Sequence, residues 1–362
     1  MKQRMSINRL GFILILLLTL NFQLSTSCLS LAWAEAKAGE VGTPLKPPSS
    51  AQPAAPASSP PSPEQSVASY TRPSSSVFDY VRPTTAATMQ LVAENKLFKK
   101  YLVQFPSALV TQYSQSTTIS AMYYVPQGKT HFPVVIILPH ISGAMAAERY
   151  TAQGLLRAGF GVLHITEPYY FPFAKFHDSW LESAKDLQDL VHVVHLLRQA
   201  VINARQGIDW VSQQPGVDKD RIGLMGISMG GWIGVLVAGV DPRIKSCVYA
   251  LAGGDMSELV LQSRLTGPLR NGLREHGVSI EDIQVVSNVI DPLSVAQAAK
   301  RAKTLMLNAS FDKTVPHGCT ERLWEALGEP PIFWLPVGHA TANLFRWYIR
   351  QKVTQHFIST LQ

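Results

Sequence analysis

Apolar and polar residues form two different patterns between residues 102 and 166, alternating runs and continuously apolar runs. The runs LVQFPSALV (102–110) and TTISAMYYV (117–125) alternate apolar and polar residues, which predicts two antiparallel strands. FPVVIILPH (132–140) and FGVLHIT (160–166) are continuously apolar, as is typical of strands buried on both faces. The stretch AAERYTAQGLLRAG between them has helical spacing.

Strands and helices keep alternating along the rest of the chain. Four further runs predict strands: RIGLMGIS (221–228), IKSCVYALA (244–252), AKTLMLNAS (302–310) and PIFWLPV (331–337). Four segments predict helices: 179–213, MGGWIGVLVAGV (229–240), CTERLWEALG (319–328) and HATANLFRWYIRQKVTQHF (339–357). This alternation predicts an α/β fold with a mostly parallel sheet covered on both faces. Residues 253–302 contain short helical stretches and no strand, which predicts a small helical cap over the carboxyl edge of the sheet.

The N-terminal part has a different composition. Residues 1–34 combine a basic start with the eleven-residue apolar run LGFILILLLTL, which predicts a signal peptide cleaved after Ala34, or alternatively after Ala36. Residues 35–76 are rich in Pro, Ala and Ser and predict a disordered linker before a folded domain at 77–362. We therefore expect a secreted or periplasmic, envelope-associated protein. An uncleaved membrane anchor and a lipoprotein modified at Cys28 are the alternatives.

Composition narrows the possible partners. Hydrophobic residues make up 46% of the chain and charged residues 16%, enough apolar material for a large core. The net charge is +7 without a long basic run, so we expect no nucleic-acid partner. There is no CxxC or HExxH motif, and we expect no metal and no cofactor. Cys247 and Cys319 either pair or remain buried thiols.

The hexapeptide GISMGG (226–231) carries the first candidate chemistry. It lies between a predicted strand and a predicted helix, where a sharp turn would expose the Ser228 hydroxyl as a nucleophile. Gly226 and Gly230 would allow strand and helix to approach closely. The Met229 amide would lie at the helix N-terminus, where it can bind an oxyanion. The alternative is a glycine-rich turn with an idle serine.

A serine nucleophile needs a base and an orienting carboxylate. Asp312 and His339 each follow a predicted strand, so with Ser228 they should share the carboxyl edge of the sheet. His317 is the rival base and Asp291 the rival carboxylate. The second oxyanion donor should be the amide of Ile141, with Ser142 as the alternative. The candidate substrate-pocket residues are His140, Tyr169, Tyr170 and Phe171; packing is the other explanation for each.

Three segments resemble the α/β-hydrolase superfamily, in particular its dienelactone hydrolase-like and acetyl xylan esterase-like members. They are IDWVSQQPGVDKDRIGLMGISMGGW, DPLSVAQAAKRAKTLMLNASFDKTVP and LPVGHA. The resemblance implies an α/β-hydrolase fold with a twisted sheet of about eight strands. It also implies a serine esterase with Ser228 as nucleophile, His339 as base and Asp312 as its partner, acting on a small-molecule or acylated-polymer ester. The alternatives are a serine peptidase, a thioesterase or a non-catalytic binding module.

Overall fold

The computed structural model describes residues 75–83, 86–110, 117–141, 146–166 and 187–362 of the chain. The predicted signal peptide and nearly all of the predicted linker lie outside these residues, so both stay predictions.

One mixed sheet forms the centre of the described domain. In the order β1-β2-β3-β5-β4-β6-β7-β8-β9, its first three pairings are antiparallel and all later ones are parallel. The prediction of a mostly parallel α/β sheet is therefore confirmed. The strands are β1 Thr88–Glu94, β2 Phe98–Pro106, β3 Thr118–Pro126, β4 Phe132–Leu138, β5 Gly161–Ile165, β6 Val217–Ile227, β7 Ile244–Ala250, β8 Lys303–Ala309 and β9 Ile332–Leu335.

The antiparallel end of the sheet differs from the prediction. The described chain has nine strands rather than about eight, because β1 is an additional edge strand. All seven residues of β1 are exposed, so the strand has no buried apolar face. The predicted strand at 102–110 is displaced: β2 begins at Phe98 and ends at Pro106, where the Ser107 amide turns back to the Thr117 carbonyl.

Helices cover both faces of the sheet, as predicted. On β4, Val134 and Ile136 belong to one hydrophobic core, and Val135 and Ile137 to the core on the opposite face. The helices are α1 Ala146–Arg157, α2 Leu187–Val211, α3 Met229–Val240, α4 Met256–Gln262, α5 Gly267–Glu275, α6 Ile280–Ser287, α7 Ala296–Ala299, α8 His317–Ala326 and α9 Arg346–Leu361. None of the described helices is long and apolar enough to cross a membrane.

The C-terminal helix is shorter than predicted. Residues Ala340–Phe345 form a 3-10 helix after His339, and α9 begins only at Arg346. The predicted long helix also changes its bounds: α2 spans Leu187–Val211, and residues 179–186 lie outside the described part. The sequence does not show whether Cys247 and Cys319 form a disulfide. In the structure both are free, buried thiols.

The insertion between β7 and β8 consists of the short helices α4 to α7 and two 3-10 turns, without a strand. Its apolar side chains join the core that contains α2 and α3. It also touches the loop after β8, where the Arg264 amide donates to the Lys313 carbonyl at 2.8 Å and the Ser263 hydroxyl to the Thr314 carbonyl at 2.6 Å. That it covers the carboxyl edge as a cap stays a prediction.

Candidate active site

Ser228 occupies a strained turn between β6 and α3. Its backbone has φ 53° and ψ −115°, in the region with positive φ that side chains other than glycine rarely adopt. The turn is held on both sides: the Ser228 amide donates to the Ala250 carbonyl at 2.7 Å, and the Trp232 amide to the Ser228 carbonyl at 3.0 Å. The strain projects the hydroxyl at the carboxyl edge of the sheet.

Two glycines permit this turn by close backbone approach. A Cβ on Gly226 would overlap the carbonyl group of Gly230 and lie 2.5 Å from the Gly231 amide nitrogen. A Cβ on Gly230 would overlap the Leu138 carbonyl and lie 2.7 Å from the Pro139 carbonyl oxygen. The start of α3 is therefore packed against both its own strand and the end of β4.

The structure brings Ser228, His339 and Asp312 together. His339 Nε2 lies 2.9 Å from Ser228 Oγ, and His339 Nδ1 lies 2.6 Å from Asp312 Oδ2. The Asp312 side chain is 5% exposed and that of His339 is 19% exposed. An alcohol, an imidazole and a carboxylate thus form one hydrogen-bonded series, the arrangement that activates a serine hydroxyl in hydrolases.

Both partners of the serine are fixed by local backbone. Asp312 Oδ1 accepts the amides of Thr314 at 2.8 Å and Val315 at 2.9 Å, which leaves Oδ2 for the imidazole. The end of β8 is tied to β9 by the Phe311 amide, which donates to the Val337 carbonyl at 3.0 Å. The carboxylate and the imidazole are therefore held at adjacent strand ends.

The rival residues have other partners. Asp291 accepts the amides of Asp255 at 3.0 Å and Met256 at 2.6 Å, so it ties down the start of α4. Burial raises the pKa of Asp291. His317 begins α8, where its ring stacks on Trp334 at a centroid distance of 4.2 Å. Among the described residues, neither is hydrogen-bonded to the side chain of Ser228 or His339.

The remaining predicted site residues divide into described and undescribed ones. Met229 is the first residue of α3, so its amide is at a helix N-terminus as predicted. Ile141 is partly buried and follows the Leu138–Pro139 backbone that packs against Gly230. Tyr169, Tyr170, Phe171 and the alternative donor Ser142 lie outside the described residues.

Glu148 is a site residue that the sequence analysis did not identify. An acidic residue in the first turn of a helix is ordinarily solvated, yet Glu148 is fully buried beside the loop after β4. Its Oε1 accepts the His140 amide at 3.0 Å and lies 2.5 Å from His140 Nδ1. Burial raises the pKa of Glu148, but the hydrogen bonds and charge of His140 outweigh this effect and lower it.

The buried histidine of β5 should make stability depend on pH. His164 is 2% exposed, and burial lowers its pKa to about 4. The unfolded chain, with an ordinary histidine pKa near 6.5, therefore binds the proton first as the pH falls. The contribution of His164 to folding is complete above about pH 6.5 and decreases down to about pH 4.

We expect His164→Gln to remove this dependence. Between pH 7 and pH 5, the decrease in the free energy of unfolding should be smaller by about 2 kcal/mol in the variant than in the wild type. Denaturant titrations at the two pH values measure it. Leu163→Ala, a buried neighbour on the same strand, should lower stability equally at both pH values. Equal pH dependence of wild type and His164→Gln would contradict the assignment.

Comparisons with known proteins agree with this architecture. Residues 119–284 match the dienelactone hydrolase family, a segment that contains Ser228 but ends before Asp312 and His339. The acetyl xylan esterase from Paenibacillus sp. R4 superposes with a TM-score of 0.58 at 19% identity, over 76% of this chain and 90% of that one. Acetyl xylan esterase 1 from Thermoanaerobacterium sp. JW/SL YS485 gives 0.56 at 18% identity, over 80% and 98%.

A curated relative is an uncharacterized protein of Mycobacterium tuberculosis, 30% identical over 153 residues. That segment covers 42% of this chain and only 36% of the relative. The sheet topology and the superposed structures show that the chain has the α/β-hydrolase fold. Residues 119–284 are similar to the dienelactone hydrolase family, in agreement with the resemblance seen in the sequence.

Proposed function

We propose that the protein is an exported serine esterase that cleaves carboxylic esters through an acyl-enzyme. The hydrogen-bonded series Ser228–His339–Asp312 carries the proposal. A small-molecule ester or an acylated polymer is the proposed substrate. Export rests on the basic and apolar start of the sequence, and Cys28 would be the lipidation site if the protein is tethered to the envelope.

The chemistry follows from the geometry. Ser228 Oγ attacks the ester carbonyl carbon while its proton passes to His339 Nε2. The tetrahedral oxyanion accepts hydrogen bonds from the amides of Met229 and Ile141. The bond between the former carbonyl carbon and the alcohol oxygen of the ester then breaks, and the imidazolium returns the proton to the departing alkoxide. Water adds to the acyl-serine by the same route, and Asp312 holds the imidazole orientation throughout.

A fluorophosphonate probe tests the proposal directly. We expect the purified protein to be labelled at Ser228, and the label to disappear in Ser228→Ala. A panel of p-nitrophenyl esters, acetylated xylan, thioesters and peptide anilides then assigns the substrate class. Absence of both labelling and ester hydrolysis in the folded wild-type protein would refute the proposal.

The orientation of the base should depend on the carboxylate. Asp312→Asn is expected to lower kcat by about 10⁴-fold, because an amide at this position favours the wrong imidazole tautomer. Steady-state hydrolysis of a p-nitrophenyl ester measures it.

Asp291, the alternative carboxylate in the sequence analysis, provides the control. Asp291→Asn should lower the melting temperature, since Asp291 holds the start of α4, and should leave kcat near the wild-type value. A larger kcat loss in Asp291→Asn than in Asp312→Asn would reverse the assignment of the two residues.

A further inference from the structure

The contact between Glu148 and His140 joins α1 to the loop after β4, here called the post-β4 loop (residues 139–141). One carboxylate oxygen, Oε1, receives both the backbone amide of His140 and its imidazole nitrogen, at 3.0 and 2.5 Å. Main chain and side chain of a single residue are thereby tied to one buried group. Such a double attachment fixes the position of His140 more firmly than either bond alone.

This contact is not what stability alone would select. Burying a carboxylate costs several kcal/mol, and apolar replacements of buried ion pairs are often neutral or stabilising. Glu148 is fully buried, and its second oxygen, Oε2, has no hydrogen-bond partner among the residues described. A leucine or methionine there would cover the same surface without that cost. The presence of this charge beside the post-β4 loop therefore needs a reason other than stability.

The post-β4 loop lies against the start of α3, next to the serine. The carbonyl groups of Leu138 and Pro139 occupy the space that a Cβ on Gly230 would need, two residues after Ser228. His140 and Ile141 continue the loop from this contact along the carboxyl edge. A small rotation of the His140–Ile141 peptide would redirect the Ile141 amide relative to the serine.

We propose that Glu148 and His140 are positioning residues that hold the Ile141 amide in the orientation of an oxyanion donor. This inference rests on the proposed serine esterase function. It adds the two residues that hold the second of its oxyanion donors in place. The amide and side chain of His140 are both fixed by Glu148, so the next peptide unit retains little freedom.

Substitutions at both positions test the proposal. Glu148→Gln keeps the side-chain size and the Oε1 acceptor but removes the charge, whereas Glu148→Ala removes the contact. We expect kcat/KM for a p-nitrophenyl ester to fall about tenfold in the first and about 100-fold in the second, with KM nearly unchanged. The upper bound is the loss of one oxyanion donor, which costs about 10²- to 10³-fold. His140→Ala should resemble Glu148→Ala, and the double variant should be no worse, because the two residues act as one unit.

An inhibitor that forms an oxyanion separates positioning from general destabilisation. Ser228 adds to an alkyl trifluoromethyl ketone and passes its proton to His339, which leaves a tetrahedral oxyanion in the site. The inhibition constant should rise by the same factor as kcat/KM falls across the variants. Asp209→Asn is the matched control: Asp209 is also buried and bonds to Tyr80 and Arg243, away from the serine. It should lower the melting temperature without changing kcat or the inhibition constant.

The outcomes are separable. A folded Glu148→Ala with kcat/KM within threefold of the wild type would overturn the inference while leaving the esterase proposal intact. A loss of kcat/KM without weaker ketone binding would also overturn it. If Glu148→Ala does not fold, Glu148→Gln and His140→Ala are judged by the same two constants. A folded wild type that neither hydrolyses esters nor reacts with the fluorophosphonate would refute the esterase proposal itself.

Discussion

Replacement of Ser228 by alanine is expected to lower kcat for p-nitrophenyl ester hydrolysis by about 10⁵- to 10⁶-fold. The hydroxyl is the one group in the series that forms a bond to the substrate, and without it the imidazole, 2.9 Å away, has no serine nucleophile to activate. The residual rate should come from binding and from the oxyanion donors, which need no serine oxygen. Alanine leaves the helix contacts of the turn in place, so the melting temperature should change little.

Burst-phase and steady-state kinetics with active-site titration measure this loss and exclude contamination by wild-type enzyme. Ser310→Ala is the matched control, because Ser310 is exposed just after β8 and two residues before Asp312. Its kcat should equal that of the wild type. A Ser228→Ala variant that keeps more than about a thousandth of the wild-type kcat/KM would exclude acyl-enzyme chemistry at this serine.

The part of the site that the sequence predicts follows from the geometry of parallel sheets. Ser228 directly follows β6, and Asp312 and His339 come within a few residues of the ends of β8 and β9. The carboxyl ends of parallel strands meet at one edge. Knowing which runs are strands is then enough to bring together side chains 111 positions apart. Asp291 and His317 are alternatives for the carboxylate and the base as far as the sequence shows. In the structure Asp291 binds the amides at the start of α4, and His317 is the first residue of α8.

The remainder depends on contacts that leave no local pattern. Every residue of β1 is exposed, so its pairing with β2 is set by the hairpin rather than by an apolar face. Glu148 resembles any solvated acidic residue at a helix start, yet it is buried on a helix that packs against β4, β5 and α9. Its partner His140 comes from a loop whose path no periodicity determines. These features depend on tertiary contacts, and no local pattern in a single sequence predicts them.

The turn at Ser228 should tolerate no side chain at Gly226, two residues before the serine. We expect Gly226→Ala to lower the free energy of unfolding by more than about 4 kcal/mol, or to prevent accumulation of folded protein. The new Cβ would overlap the Gly230 carbonyl and reach the Gly231 amide nitrogen at 2.5 Å. All of these are backbone atoms of α3, so no change of rotamer relieves the collision. The helix would have to move away from β6, and Trp232 and the core around it would move with it.

Gly318→Ala is the corresponding control in a helix. A Cβ at Gly318 meets only the end of the Arg322 side chain at 3.7 Å, an ordinary contact. Alanine also favours the helical conformation over glycine by up to about 1 kcal/mol. Thermal and denaturant unfolding should thus show Gly318→Ala at or slightly above wild-type stability and Gly226→Ala far below it. Equal melting temperatures for Gly226→Ala and the wild type would mean that the strand and helix at Ser228 are not in close contact. The strained turn that exposes the hydroxyl would then lack its structural basis.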